Sequence, residues 1–183
     1  MTKMKLKNYF FHVLVLLFSI GISGQEKKSG PIITDYGKVW YVDNPDFKID
    51  TTKTYKAVFD IMNSPEDPSQ LNASLETAAR FLNMHAQSGI PADQLKVALV
   101  VHNQASKDVM HSKAYNLKYG MNNPNEALLL QLIGTGADVI FCGQSSASRG
   151  IPKEDLVTDV QLSLSAMTAL IQLQNENYRL IKF

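Results

Sequence analysis

Cys142 is the only cysteine in the chain, so it forms no internal disulfide. It is a buried small apolar side chain, a partner for a thiol on another molecule, or a group used for chemistry. Its surroundings bear on the choice. The stretch Gln144–Arg149, closed by Gly150, reads as a short helix, which sets Cys142 just before a helix N-terminus. Unpaired amides and the helix dipole favour an anion there. A thiolate so placed has its pKa lowered from about 8.5 towards neutrality. Gly143 allows close approach of the backbone to a ligand, Gln144 and Ser145 shape a pocket, and Arg149 adds positive charge.

His102-Asn103, at the end of another apolar run, is the second place where chemistry is possible. A Cys142–His102 pair would suit nucleophilic catalysis. No third residue that orients the histidine is evident, and a satisfied structural histidine is the plainer reading. His85 and His111 read as packing or surface groups. A metal site of His102, His111 and Cys142 lacks recognisable ligand spacing. Gly134-Thr135-Gly136 precedes a strand instead of opening a helix, so it is no phosphate loop. Neither metal nor cofactor is expected.

The elements that must position these residues alternate. Tyr55–Met62 reads as a core strand, stopped by Asn63-Ser64-Pro65. Asp67-Pro68-Ser69-Gln70 has the form of a helix start, and Leu71, Leu75, Ala78, Ala79, Leu82 and Ala86 follow at helical spacing. Leu95–Val101 is apolar on both faces, as a strand covered by helices requires. Helices are expected from Ser106 to about Tyr119 and again after Asn123-Pro124-Asn125-Glu126. Asp138–Cys142 is the next buried strand, Ser163 to about Asn175 the last helix, and Tyr178–Phe183 the closing strand. The order β-α-β-α-α-β-α-α-β implies right-handed crossovers and a parallel sheet in one α/β domain. Ligands of such sheets bind beyond the carboxyl ends of the strands, the edge that carries Asn63-Ser64, His102-Asn103 and Cys142–Ser146.

The N-terminus has a different character. Lys3, Lys5 and Lys7 precede an apolar run from Phe10 to Ile22, and small residues follow at Gly21, Ser23 and Gly24. These are the three parts of a secretory signal, shorter than the roughly 20 apolar residues of a transmembrane span. Residues 1–24 are therefore read as a signal peptide, with an uncleaved N-terminal anchor as the alternative, residues 25–53 as an ordered arm with a short strand, and 54–183 as the domain. The expected location is periplasmic or secreted, with no stable membrane span once the signal is removed. Formal net charge is +1 over the whole chain, and the leader holds three lysines and no acid, so the remainder is slightly acidic. That balance leaves no electrostatic footprint for nucleic acid.

Several stretches resemble the DsrE/DsrF-like family, specifically its single-domain secreted branch. They are Lys96–His102 (KVALVVH), Asn123–Asn125 (NPN), Gly136–Arg149 (GADVIFCGQSSASR), Ser163–Leu170 (SLSAMTAL) and Tyr178–Phe183 (YRLIKF), with Tyr36-Gly37-Lys38 and Asn72–Ile90 also fitting. The resemblance implies a three-layer α/β/α fold, flavodoxin-like in general architecture, assembled into homo-oligomers such as trimers or hexamers. It implies a sulfur-relay role in which Cys142 carries sulfur as a persulfide between a donor and an acceptor protein. His102, Asn103, Gly143, Gln144, Ser145 and Arg149 would line its pocket. The other expectation is a non-catalytic oligomeric ligand-binding or scaffold module in which Cys142 is structural.

Overall fold

Three strands bury apolar residues against helices on both faces, and two short, largely exposed strands flank them at the edges of the sheet. The computed structural model describes residues 26–182, so the expected signal peptide lies outside the described residues. The strands are β1 (Tyr55–Ile61), β2 (Leu95–Val101), β3 (Asp138–Cys142), β4 (Gln161–Ser163) and β5 (Arg179–Ile181). They pair in the order β4-β3-β2-β1-β5, and every pairing is parallel. In β2 only Lys96 is exposed. The helices are α1 (Ala73–Gln87), α2 (Ser112–Tyr119), α3 (Glu126–Gly134), α4 (Gly143–Arg149) and α5 (Ala166–Asn175).

The strand order dictates the layers. From β1 to β4 the chain steps in one direction across the sheet, and right-handed crossovers keep the intervening helices on one face. The step from β4 back across to β5 runs the other way and carries α5 to the opposite face. Two apolar clusters match this division. Phe59, Ile61, Leu99, Val101, Val139 and Phe141 pack with Leu75, Leu82, Leu128 and Leu132 on one side. Val58, Ala98, Val100 and Cys142 pack with Ala166, Ala169 and Leu173 on the other. The result is a three-layer, flavodoxin-like α/β/α architecture, and Cys142 belongs to the layer that α5 alone covers.

Several side chains hold the arm before the sheet, and Asn83 makes the most bonds to it. Asn83, fully buried on α1, accepts from the Ile33 amide at 2.9 Å. It donates to the carbonyls of Ile33, Tyr36 and Gly37 at 2.8, 3.0 and 3.1 Å. Gly37 lies flush on α1: a Cβ there would stand 2.5 Å from the Ala79 carbonyl carbon, with φ at +69°. The short strand expected in the arm is reduced to one antiparallel bridge between Lys28 and Val39.

Four sequence readings need correction. Helix α1 does not begin at Asp67-Pro68. The Asp67 carboxylate instead accepts from the Ser69 amide and hydroxyl in a tight turn, and Asn72 is the cap, accepting from the Ser74 amide at 2.9 Å. The single helix expected from Ser106 to Tyr119 is a 3-10 segment, Asn103–Val109, and then α2. Extended Met110, bridged to Leu156, separates them. The edge strand β4 stands where the sequence pattern predicts no strand, and Ser163 belongs to it and not to the last helix. Helix α5 starts at Ala166, capped by the Ser165 hydroxyl on the Thr168 amide at 3.1 Å. Among the described residues, no helix is long and apolar enough to cross a membrane.

Candidate functional site

Cys142 is the last residue of β3 and the cap residue of α4, with extended φ −70° and ψ 119°. The chain passes directly beneath the β4–α5 connection, because a Cβ on Gly143 would lie 2.4 Å from the Ser163 carbonyl oxygen. Two helix starts therefore meet at one sulfur. Burial pushes the thiol pKa up, but hydrogen bonds from the amides of Ser145 and Ala166, the Ser145 hydroxyl and the Gln144 amide outweigh it. The net displacement is downward. Hydrogen bonds to the charged form act in this direction. The residue is nonetheless only 5% exposed, so the sulfur is roofed by the first turn of α5 and does not stand on an open rim.

His102 follows β2. The β2–β3 register ends with Val101 opposite Phe141, and His102 stays extended at φ −158° and ψ −179°. One further step sets it beside Cys142 on the α5 face. Its ring does not hydrogen-bond the sulfur in the described structure; Nε2 donates to Asp60 Oδ1 at 2.7 Å. Asp60 in turn receives Lys182 Nζ on Oδ2 at 2.8 Å. Here is the third orienting residue that sequence reasoning missed. Its signal was a lone carboxylate among the buried apolar residues of β1, a placement that demands partners.

The remaining residues divide. Asn103 holds α4 against the end of β2: its amide donates to Ser145 Oγ at 3.1 Å, and its Oδ1 accepts from Arg149 Nη2 at 2.8 Å. Its φ of +53° is one that asparagine tolerates better than most residues. Gln144 turns outward to the Leu164 carbonyl at 3.3 Å. Cys142, Gly143, Gln144, Ser145, His102 and Asn103 thus share one end of the sheet. Arg149 does not join the thiol. It stands at the far end of α4, about 10 Å along the helix axis. Among the described residues, no group of three or more His, Cys, Asp or Glu is placed to hold a metal ion.

Asp60 gives a pH-dependent prediction. Burial raises its carboxyl pKa, but the hydrogen bonds from Lys182 and His102 overcome that and leave it lowered. The ionised pair therefore contributes stability above the ordinary carboxylate value of about 3.9, and this is lost as pH falls through the lower folded value. Asp60→Asn is expected to cost about 1–3 kcal/mol at neutral pH. It should also flatten the loss of stability on acidification. Urea unfolding at neutral and acid pH measures both, and equal acid sensitivity in the two proteins would contradict the assignment.

A family model, described as the DsrE/DsrF-like family, matches residues 56–183. No curated protein matches the chain. Among solved structures, the protein of unknown function MTH1491 from Methanobacterium thermoautotrophicum is similar at 16% identity and a TM-score of 0.54, over 70% of this chain and 99% of that one. The ychN protein from E. coli is similar at 19% identity and a TM-score of 0.52, over the same shares. At such identities the likeness is one of fold.

Proposed function

The chain belongs to the DsrE/DsrF-like family, and on that premise we propose that it is an exported sulfur carrier whose Cys142 accepts sulfur as a persulfide. The observation that supports this most directly is the convergence of amides from α4 and α5 on the sulfur. Attack by the Cys142 thiolate on the outer sulfur of a donor persulfide forms one S–S bond. The donor's own S–S bond breaks, and the electron pair leaves on the donor thiolate. No oxidant is consumed. The same amides that favour the thiolate then favour the persulfide anion. His102, aligned by Asp60, follows β2 at the register position next to the thiol. Passage to an acceptor is the reverse exchange, governed by thiolate fraction and access.

Leu164, just before the α5 cap, and Met167 and Ile171 on α5 are exposed, as is Leu180 on β5. This supports self-association as a trimer or hexamer, or docking of a donor or acceptor protein. The leader pattern in residues 1–24 supports a periplasmic or secreted location. Incubation with glutathione persulfide followed by intact-mass measurement tests the carrier role. The wild-type protein should gain one sulfur atom, reversible by thiol reductant, and Cys142→Ser should gain none. Absence of the gain in the wild type, or its persistence in the variant, would remove the proposal.

The roof over Cys142 favours a second reading, in which the cysteine is structural and the protein is a non-catalytic oligomeric binding or scaffold module. A native labelling time course with iodoacetamide separates the two. Modification only at the rate of global unfolding supports the scaffold. Modification of folded protein, accelerating below the ordinary thiol pKa, supports the carrier.

A further inference from the structure

A cavity at the carboxyl edge of the sheet lies outside the thiol site. It is a cleft of about 280 Å³, and its lining includes Ser64 and Glu66 after β1, Lys107 after β2, Lys118 and Tyr119 on α2, and Arg149 on α4. Three of these side chains are cations and one is a carboxylate, so the wall carries excess positive charge. Among the described residues, no carboxylate lies within ion-pair distance of Arg149 or Lys118. The Arg149 contact is the neutral Asn103 Oδ1 at 2.8 Å, and Lys118 Nζ lies 5.8 Å from the Tyr119 ring centroid.

The third cation is fixed from below. Lys107 Nζ sits 3.2 Å from Oδ1 of Asp108, whose side chain is fully buried, and the lysine side chain itself is only 14% exposed. Ser64 Oγ donates to the same Oδ1 at 3.0 Å. Two members of the wall are thus held before any ligand arrives, which lowers the ordering cost of binding. A guanidinium with one donor engaged still presents a fork suited to an oxyanion. The cleft is too small for a nucleotide-sized ligand, since drug-sized sites begin near 300 Å³. It also opens where parallel sheets receive ligands.

We propose that this cleft binds a small doubly charged oxyanion, of the phosphate or thiosulfate type, between Arg149, Lys118 and Lys107. The proposal stands independently of sulfur carriage, because none of these side chains contributes to the environment of the thiol. Calorimetric titration of the purified protein at low ionic strength, with inorganic phosphate, thiosulfate and acetate in separate arms, tests it. One equivalent of phosphate or thiosulfate should bind at least several-fold more tightly than acetate, and the tighter of the two identifies the ligand source. Arg149→Gln and Lys118→Gln, both at exposed positions, should each weaken binding about ten-fold, the scale of one charge-assisted contact. Lys96→Gln, at the opposite end of the sheet, should leave it unchanged. No binding of either dianion at millimolar concentration would overturn the proposal. So would undiminished affinity in the Arg149→Gln/Lys118→Gln double variant, or equal weakening by Lys96→Gln.

Discussion

Gly143→Ala is expected to destabilise the protein by about 3 kcal/mol or more and to raise the pKa of Cys142 at the same time. The added Cβ would meet the Ser163 carbonyl oxygen at 2.4 Å and the Leu164 carbonyl oxygen at 3.2 Å. Both are backbone atoms, which cannot rotate away as a side-chain tip can. Relief requires the β4–α5 connection to lift, and that movement withdraws the Ala166 amide from the sulfur. Stability and thiol acidity are therefore coupled through one contact. Gly134→Ala at the end of α3 is the control, since a Cβ there meets nothing within 4 Å, and it should neither destabilise the protein nor shift the thiol. Urea unfolding together with thiol titration of the two variants checks the pair of effects. Loss of stability with an unchanged thiol would show that the roof does not tune the sulfur.

Asp108→Asn is the second large effect, on stability alone. Asp108 is completely buried and meets only donors. Ser64 Oγ, Lys107 Nζ and Asn125 Nδ2 approach Oδ1 at 3.0, 3.2 and 3.4 Å, and Asn72 Nδ2 approaches Oδ2 at 2.7 Å. Burial raises the carboxyl pKa, against the partial opposition of Asn72, Lys107 and Ser64. An amide of the same shape must turn its NH₂ against at least one of those donors, because only a carboxylate accepts on both atoms. The expected cost is about 2–4 kcal/mol, read as a lowered urea midpoint with unchanged slope. The loss should be larger than for Asp60→Asn, whose partners reach solvent more easily. A change within experimental error would mean that the network relaxes around the substitution.

The same network explains why part of the fold was illegible in the sequence. Asp67-Pro68-Ser69-Gln70 has every local mark of a helix start, yet α1 begins after Asn72. The reason is tertiary: the Asn72 amide donates to Asn125 Oδ1 at 2.8 Å, and its side chain donates to Asn63 and Asp108. No local pattern reports partners so far along the chain. Strand β4 escaped because Gln161-Leu162-Ser163 is a short edge strand with two of its three residues exposed. Strands β2 and β3, by contrast, were readable to the residue, since a strand buried on both faces is written as an unbroken apolar run.

The site divides in the same way. Cys142 beside a helix start followed from local spacing. The Ala166 amide, the placement of His102 by register and its orientation by Asp60 did not, because each depends on a separate segment folding back to the carboxyl edge. Arg149 sits at the other end of α4 from Cys142 and is tied to the site through Asn103 Oδ1 at 2.8 Å, a link that local spacing does not report.

All of the proposed chemistry depends on a sulfur that ionises readily although it is roofed. Ultraviolet absorbance of the thiolate, followed against pH and corrected with Cys142→Ser, measures that directly. The account expects a single titration with its midpoint below the ordinary thiol value of about 8.5. A midpoint at or above that value would show that burial outweighs the converging amides, and would leave Cys142 an inert part of the core.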